Sequence, residues 1–492
     1  MILAMFRPFL SCLGYTPKAP EKANDYGAAI WRKQNIYQLL TDRFARNEDD
    51  YDHPATGRLY LGGTWRGIIS KLDYLQSLGI TAVWISPIVK NIEETTGYGQ
   101  AYHGYWTEDM TELNSHFGTA DDLRALVQAL HERNMLCMID IVVNHMAHSG
   151  SGPVNFARYR PFHRAEDYHE KRFIRDYDNL NDCLTGWLGD NVVCLPDIRT
   201  ENPRICSIFQ NWIAFLHREY NFDGIRVDTA KHVQKTFYPP FVHAANVFAM
   251  AEVFHGDPAY VGVYQHYLPS VLNYPLYYQL RDTFLDRKQN MSVFYQKAVL
   301  DIHRSFYDVT TAGNFVENHD VPRFLHTCRD YSLAVNALVA TIFMDGFPII
   351  YQGQEQMYNG GDDPENRDAL WKSRYDTTNS MFRVISSLLK YRLKLCDIYS
   401  NFTTEPTQPL LVNDQLYAFT RPGVYVILTN MGSTFNSRIQ IPLRTTCENK
   451  PLVDAFDEKP PAGLESRIAS STLHTSIQFG FPKVLIDPSI LY

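Results

Sequence analysis

The sequence predicts an α/β protein: a (β/α)8 TIM barrel with an inserted irregular subdomain after strand 3 and a C-terminal antiparallel β-sandwich. Three observations predict it. Apolar strand-like runs alternate with helical patterns from about residue 35 onward, as in a parallel sheet covered by helices. An irregular stretch at 146–197, rich in Gly, Asn, Asp, His and Tyr, follows directly on a strand. After about residue 400 the pattern changes to short alternating runs, the signature of antiparallel strands.

Each element has its own reason. "NIYQLL" (35–40) reads as a strand, and "TWRGIISKLDYLQSLG" (64–79) as an amphipathic helix stopped by Gly79. "ITAVWISPI" (80–88) and "MLCMIDIVVNH" (135–145) are buried strands. Between them lies "TADDLRALVQALHERN" (119–134), a helix with Thr119 as cap and two acids in its first turn. Further on come the helix "ENPRICSIFQNWIAFLHREY" (201–220), the strand "FDGIRVD" (222–228), a helix through about residue 247, and the strand "FAMAEVF" (248–254). "GNFVENHD" (313–320) and "GFPIIYQGQE" (346–355) are later strands around the helical "YSLAVNALVATIFMD" (331–345). About eight such units favour a closed barrel over an open sheet.

The resulting division is an N-terminal extension or leader (1–32), barrel (33–145), inserted subdomain (146–197), barrel again (198–400) and C-terminal sandwich (401–492). A loop as long as 146–197 is improbable unless it forms a subdomain. "QLYAFTRPGVYVILTN", "SRIQIPL" and "PKVLIDP" supply strands for the last domain.

Bulk properties narrow the function. The chain has 492 residues, 45% hydrophobic and 20% charged, as expected of a globular protein with a large core. Its net charge of −8 gives a nucleic-acid partner no electrostatic support. No apolar run reaches the roughly 18 residues that span a bilayer, and the C-terminus lacks a lipid-anchor pattern. The N-terminal "MILAMFRPFLSCLGYTPKAP" leaves a leader undecided, since Arg7 and Pro8 split its apolar run. Eight scattered cysteines without a CxxC pair argue against a thiolate metal site. Only Cys183 and Cys194 are near enough for a local bridge.

Polar groups gather at predicted strand ends: Asp140, Asn144 and His145; Arg226 and Asp228; Glu252; His319 and Asp320. In "FDGIRVD", residues two apart share a face, so Arg226 and Asp228 point together while Ile225 and Val227 point away. Alone, that pair reads equally as a structural ion pair or a site. Four polar strand ends at the C-terminal mouth of a barrel decide for a site. There is no nucleophile elbow, P-loop or GxGxxG after the first strand. Three carboxylates with histidines suit glycosidic bond cleavage. Asp228, beside Arg226, is expected to have its pKa lowered and serve as an anionic nucleophile. Glu252, flanked by Val253 and Phe254 in a drier pocket, is expected to be the acid.

"DIVVNH" (140–145), "GIRVDTAKH" (224–232), "EVFH" (252–255) and "FVENHD" (315–320) resemble the four sequence regions of the α-amylase family, glycoside hydrolase family 13. "LPDI" (195–198) resembles that family's additional region in its protruding domain, and "AYHGYW", "GDPAYVGVYQ" and "GQEQMYNGGDDPENRDALW" are similar to the secreted fungal (Taka-type) members, over roughly residues 33–400. The resemblance implies Asp228 as nucleophile, Glu252 as general acid/base and Asp320 as transition-state stabiliser. Arg226 matches the arginine beside the nucleophile, and His145 and His319 the histidines holding sugar hydroxyls. Tyr105 and Trp106 match an aromatic platform. Lys231, His232 and Gly256 match the leaving-group side, and Asp363 and Arg367 the far non-reducing end; a surface i,i+4 salt bridge is the plainer reading of that last pair.

A structural Ca2+ is also implied, held by Asn144, Asp197, the His232 carbonyl and a carbonyl near Leu184, since oxygen ligation suits a hard cation. The expected partner is an α-glucan polysaccharide or oligosaccharide, with no nucleic acid, and the chain is expected to be a monomer. The implied activity is retaining endo-hydrolysis of α-1,4-glucosidic bonds. A 4-α-glucanotransferase and an inactive glucan-binding protein are the alternatives. Departures are also present: Leu61, Arg172, Gly186, Ala249 and Phe306 stand where the secreted relatives carry disulfide cysteines, and Arg66 replaces a glutamine near the cleft. Loss of bridges points to a cytoplasmic location, with the endoplasmic reticulum or secretion as the alternative.

Overall fold

The computed structural model describes residues 26–150, 152–443, 449–456 and 466–490. The leader expectation, Cys12 and Cys447 lie outside the described residues. Eight parallel strands form the barrel: β1 (Ile36–Leu39), β2 (Ala82–Ile85), β3 (Leu136–Ile141), β4 (Gly224–Val227), β5 (Phe248–Ala251), β6 (Ser270–Val271), β7 (Gly313–Asn314) and β8 (Phe347–Tyr351). They pair in sequence order, β8 returns to β1, and a parallel bridge from Leu272 to Gly313 closes the ring between β6 and β7.

Strand alternation divides the core in two. Ile36, Trp84, Met138, Met250 and Ile349 fill the barrel interior, while Tyr37, Val83, Ile139, Ile225, Val227 and Ala249 pack outward beneath the helices. Gln38, Asp140 and Arg226 are buried at inward positions of the same strands.

Two helices differ from the sequence reading. The stretch 64–79 is two helices, Trp65–Ser70 and Leu72–Leu78, because Lys71 leaves helical geometry at φ −116° and ψ 13°. Gly79 ends the second with φ 93°, a conformation glycine adopts without steric cost. After β4 the chain makes two short 3-10 turns, and the helix itself spans only Tyr238–Ala245, with a proline in its first turn. Thr119 does cap Ala120–His131, in a reciprocal capping box with Asp122. Arg66 does not line the cleft, and its guanidinium is bound to Asp122.

The insert 146–197 contains a three-stranded antiparallel sheet (His148–Ser149, Leu188–Gly189, Val193–Leu195) and a helix, Leu180–Thr185. A bridge between His145 and Asp197 ties its end to the end of β3. Cys183 and Cys194 are free thiols, and Cys183 Sγ donates to the Tyr177 carbonyl, so no local bridge forms. At the C-terminus, eight antiparallel strands between Gln408 and Ile486 form one continuous ladder. It folds over a core shared by both of its halves, including Ala418, Ile427, Ile441, Leu473 and Leu485.

Candidate active site

The C-terminal strand ends open into a cavity of about 750 Å3. Its lining includes Tyr105, Trp106, His145, Asp228, Lys231, His232, Glu252, His319, Asp320, Asp363 and Arg367. Of the residues expected on the sugar side, Arg226 and Gly256 are not on that wall. Arg226 lies beneath it. Gly256 sits behind it, where an added Cβ would lie 3.1 Å from the ring of Tyr278, itself a lining residue.

The centre is built by register. Val227 pairs with Ala251, so the next residues, Asp228 and Glu252, emerge side by side from neighbouring strands. Asp140 pairs with Arg226 from the other neighbour. The single guanidinium therefore meets three carboxylates. Arg226 Nη1 lies 2.7 Å from Asp228 Oδ1 and 2.9 Å from Asp140 Oδ1, and Nη2 lies 2.9 Å from Glu252 Oε1. Arg226 is 1% exposed, so this network is shielded from water.

Charge is thus unbalanced toward the acid. Burial, opposed by Arg226 and reinforced by Glu252, Asp140 and Asp320, pushes the Asp228 carboxyl well above the usual range. The lowering expected from Arg226 alone is overturned, since one cation serves three buried carboxylates. Burial likewise raises Asp140 to about 6 against the pull of Arg226. Asp140 also accepts from Tyr105 Oη at 2.8 Å and Trp84 Nε1 at 3.2 Å.

Glu252 is buried as expected, at 7% exposed, but its surroundings are polar and not apolar. Thr229 N donates to its Oε2 at 2.8 Å, Arg226 holds Oε1, and Phe254 is 43% exposed on the cleft wall. Asp320 stands on the opposite side of the cleft, its Oδ2 at 3.1 Å from His319 Nε2 and its Oδ1 at 3.4 Å from Arg367 Nη2. Burial raises the Asp320 carboxyl, with Arg367 opposing.

The aromatic wall is only partly a platform. Tyr105 stacks on His319 with centroids 5.1 Å apart and planes at 4°, while the half-buried Trp106 makes a T-shaped contact with His103. His145 Nε2 faces the Tyr105 carbonyl at 3.2 Å, and burial holds its ring down to about 4. Asp363 and Arg367 are joined at 3.3 Å, but in an irregular segment lining the cleft and not along a surface helix. Asp363 accepts from Tyr102 Oη at 2.5 Å and from Arg58 Nε at 2.8 Å.

On the leaving-group side, Lys231 Nζ lies 5.4 Å from the Tyr177 ring centroid and His232 meets the same ring edge-on. Tyr177 and Phe254 are both exposed and both line the cavity; Tyr177 escaped the sequence reading, and Phe254 entered it only as an apolar flank of Glu252. Phe254 sits two residues past Glu252, a spacing that could have flagged it. Asn144, Asp197 and the His232 carbonyl converge at the foot of the insert. The Cys183 carbonyl of helix Leu180–Thr185, next to the expected Leu184 carbonyl, lies 3.2 Å from His232 Nδ1.

The α-amylase catalytic-domain family model matches residues 38–246 and 238–387, which together cover more than half of the chain. The chain belongs to the α-amylase family. An uncharacterised glycosyl hydrolase of Schizosaccharomyces pombe is 55% identical over 466 residues, 94% of each chain. "Alpha-amylase 2" of Schwanniomyces occidentalis is 41% identical over 479 residues, 95% of this chain and 93% of that protein. Among solved structures, the α-amylase of Malbranchea cinnamomea superimposes with a TM-score of 0.88 at 36% identity, covering 94% of this chain and 98% of that one. Family membership makes the chain a glycoside hydrolase, and among the described residues no helix is long and apolar enough to cross a membrane.

Proposed function

We propose that the chain is a retaining endo-hydrolase of α-1,4-glucosidic bonds in starch- or glycogen-like glucans. One observation carries the reading: Asp228 and Glu252 sit on the two ends of one guanidinium, at matching register on adjacent strands. Strands pack about 4.8 Å apart, a spacing that suits the roughly 5–5.5 Å between carboxyls of a double-displacement glycosidase. Asp228 attacks the anomeric carbon, the C–O bond to the leaving sugar breaks, and Glu252 delivers a proton to that oxygen. Water, deprotonated by Glu252, then releases the sugar from Asp228. Asp320 faces the developing positive charge from across the cleft.

The test is the product profile on soluble starch beside maltoheptaose. Shorter oligosaccharides support hydrolysis. Products longer than the substrate would favour a second reading, 4-α-glucanotransfer, which the exposed rings of Phe254 and Tyr177 favour because they offer an acceptor sugar apolar faces.

The crowding of carboxylates has a pH consequence. Asp228 must be anionic to attack, so activity fails as pH falls through its raised titration range. Asp140→Asn removes a neighbouring negative charge and leaves more of Arg226 to Asp228, so the acid limb of kcat/KM is expected to move to lower pH. A pH–rate profile on maltoheptaose checks this; an acid limb that stays in place would contradict it.

Calcium belongs to the same proposal, and the donor set fits it. The Asn144 carboxamide edge lies 3.1 Å from both the His232 carbonyl and Asp197 Oδ1. The neutral His145 ring, with Nε2–H directed at the Tyr105 carbonyl, offers only a lone pair at Nδ1, which lies 3.3 Å from Asn144 Nδ2. The Asn144 oxygen then faces two other oxygens with no proton between them, an arrangement suited to a hard cation. Bound there, Ca2+ would neutralise these oxygens and pin the insert to β3. Chelation is expected to lower the melting temperature, with recovery on adding Ca2+; an unchanged melt would contradict the assignment.

A reducing, cytoplasmic compartment completes the proposal, supported by free thiols at the six described cysteines. Fractionation of cells expressing the tagged chain checks it.

A further inference from the structure

β1 is apolar except for one inward side chain. Gln38, 3% exposed, points into the barrel interior and, passing β8, sets its Nε2 at 2.8 Å from His319 Nδ1 at the end of β7. We propose that Gln38 is a positioning residue that fixes His319 in its Nε2–H tautomer and so aims that N–H at the cleavage site. The inference rests on the glycosidase reading for its catalytic meaning, but its physical content stands on the ring alone.

The carboxamide NH2 can only donate, so Nδ1 must accept and the ring proton must sit on Nε2. The second contact demands the same. Nε2 lies 3.1 Å from Asp320 Oδ2, an acceptor that a lone pair on Nε2 would repel. Reversing the amide would place the proton on Nδ1 and set that lone pair against the carboxylate. Both hydrogen bonds therefore select one tautomer.

The rest of the surroundings fixes the ring plane and leaves only the proton to be placed. Tyr105 stacks flat on the ring, Tyr351 approaches it from β8, and Arg367 Nε donates to the His319 carbonyl at 2.8 Å. The charged and titratable groups facing the ring are Asp320, Arg367, Arg226 and His103. Burial, with Arg367 and Arg226, disfavours a cation there. His319 thus serves as a neutral, directional donor to Asp320 or to a sugar hydroxyl that displaces it, and adds no positive charge opposite Asp228. Without Gln38, a water or nothing faces Nδ1, and the proton is free to occupy either nitrogen.

The test uses the full chain with 15N-labelled histidine, its His319 signals assigned by comparison with His319→Gln. The wild type is expected to show a protonated Nε2 and a bare Nδ1. Gln38→Leu is expected to mix the tautomers and lower kcat/KM on maltoheptaose about five- to tenfold. Gln38→Glu, whose carboxylate accepts from Nδ1–H, is expected to protonate both nitrogens and add an ionisation to the pH profile. Gln38→Asn, which keeps an NH2 donor, is expected to restore the wild-type tautomer in part. A protonated Nδ1 in the wild type overturns the proposal, even if every variant fails to fold. So does a Gln38→Leu protein with wild-type tautomer and wild-type kcat/KM. These spectra need no substrate, so their outcome is separate from the failure of the glycosidase reading, which Asp228→Asn reports.

Discussion

Asp228→Asn is expected to lower kcat on soluble starch by at least about 10^4-fold, because the amide cannot form the glycosyl ester on which both halves of the reaction depend. The folded state is expected to tolerate the change: the melting temperature holds or rises. Asp228 is one of three carboxylates around a single buried guanidinium, and burial already drives its carboxyl toward the protonated form. Removing one negative charge relieves that crowding. The site keeps this charge at a cost to folding, which is the usual mark of a group retained for chemistry. Activity assays beside thermal melts check both halves; lost activity accompanied by a collapsed melt would mean that Asp228 is structural.

Arg226→Met is expected to act in the opposite way, removing both activity and stability. The guanidinium is the only cation within hydrogen-bonding distance of Asp140, Asp228 and Glu252 among the described contacts. Deleting it leaves three buried carboxylates against one another, a change that typically costs about 3–5 kcal/mol. Denaturant unfolding of the full chain measures the loss. Adding Asp140→Asn is expected to return part of it, because the two residues share one network and their effects do not add. Additive losses would show that Arg226 stabilises the barrel through packing and not through these charges.

The sequence made the barrel legible where elements were long and periodic, and less so where they were short. The helices at 119–134 and 201–220 and the strands at β1 to β5 and β8 stand close to where their patterns place them. β6, at Ser270–Val271, was missed because two residues show no period. The break at Lys71 is invisible to an apolar pattern that continues through it.

In the site, the side chains at strand ends were readable because strand ends are where a barrel exposes chemistry. Their mutual charges were not. Asp140 and Arg226 meet across 86 residues of sequence separation through β3–β4 register, which no local pattern records. The proton affinity of Asp228 was misjudged for that reason: "IRVD" shows its one arginine and not the two other acids sharing it. Gln38 left a fainter trace, a lone amide inside "IYQLL", whose partner after β7, beyond β8, only the closed sheet supplies.

The most direct test of the account is to trap the intermediate. A fluorinated α-maltosyl fluoride, whose sugar leaves the enzyme slowly once attached, is incubated with the intact protein, which is then digested and analysed by mass spectrometry. One maltosyl adduct on the peptide carrying Asp228, lost when Asp228 is changed to Asn, is the result expected here. An adduct on Glu252 or Asp320, or turnover of the reagent with the β anomer as first product, would contradict it.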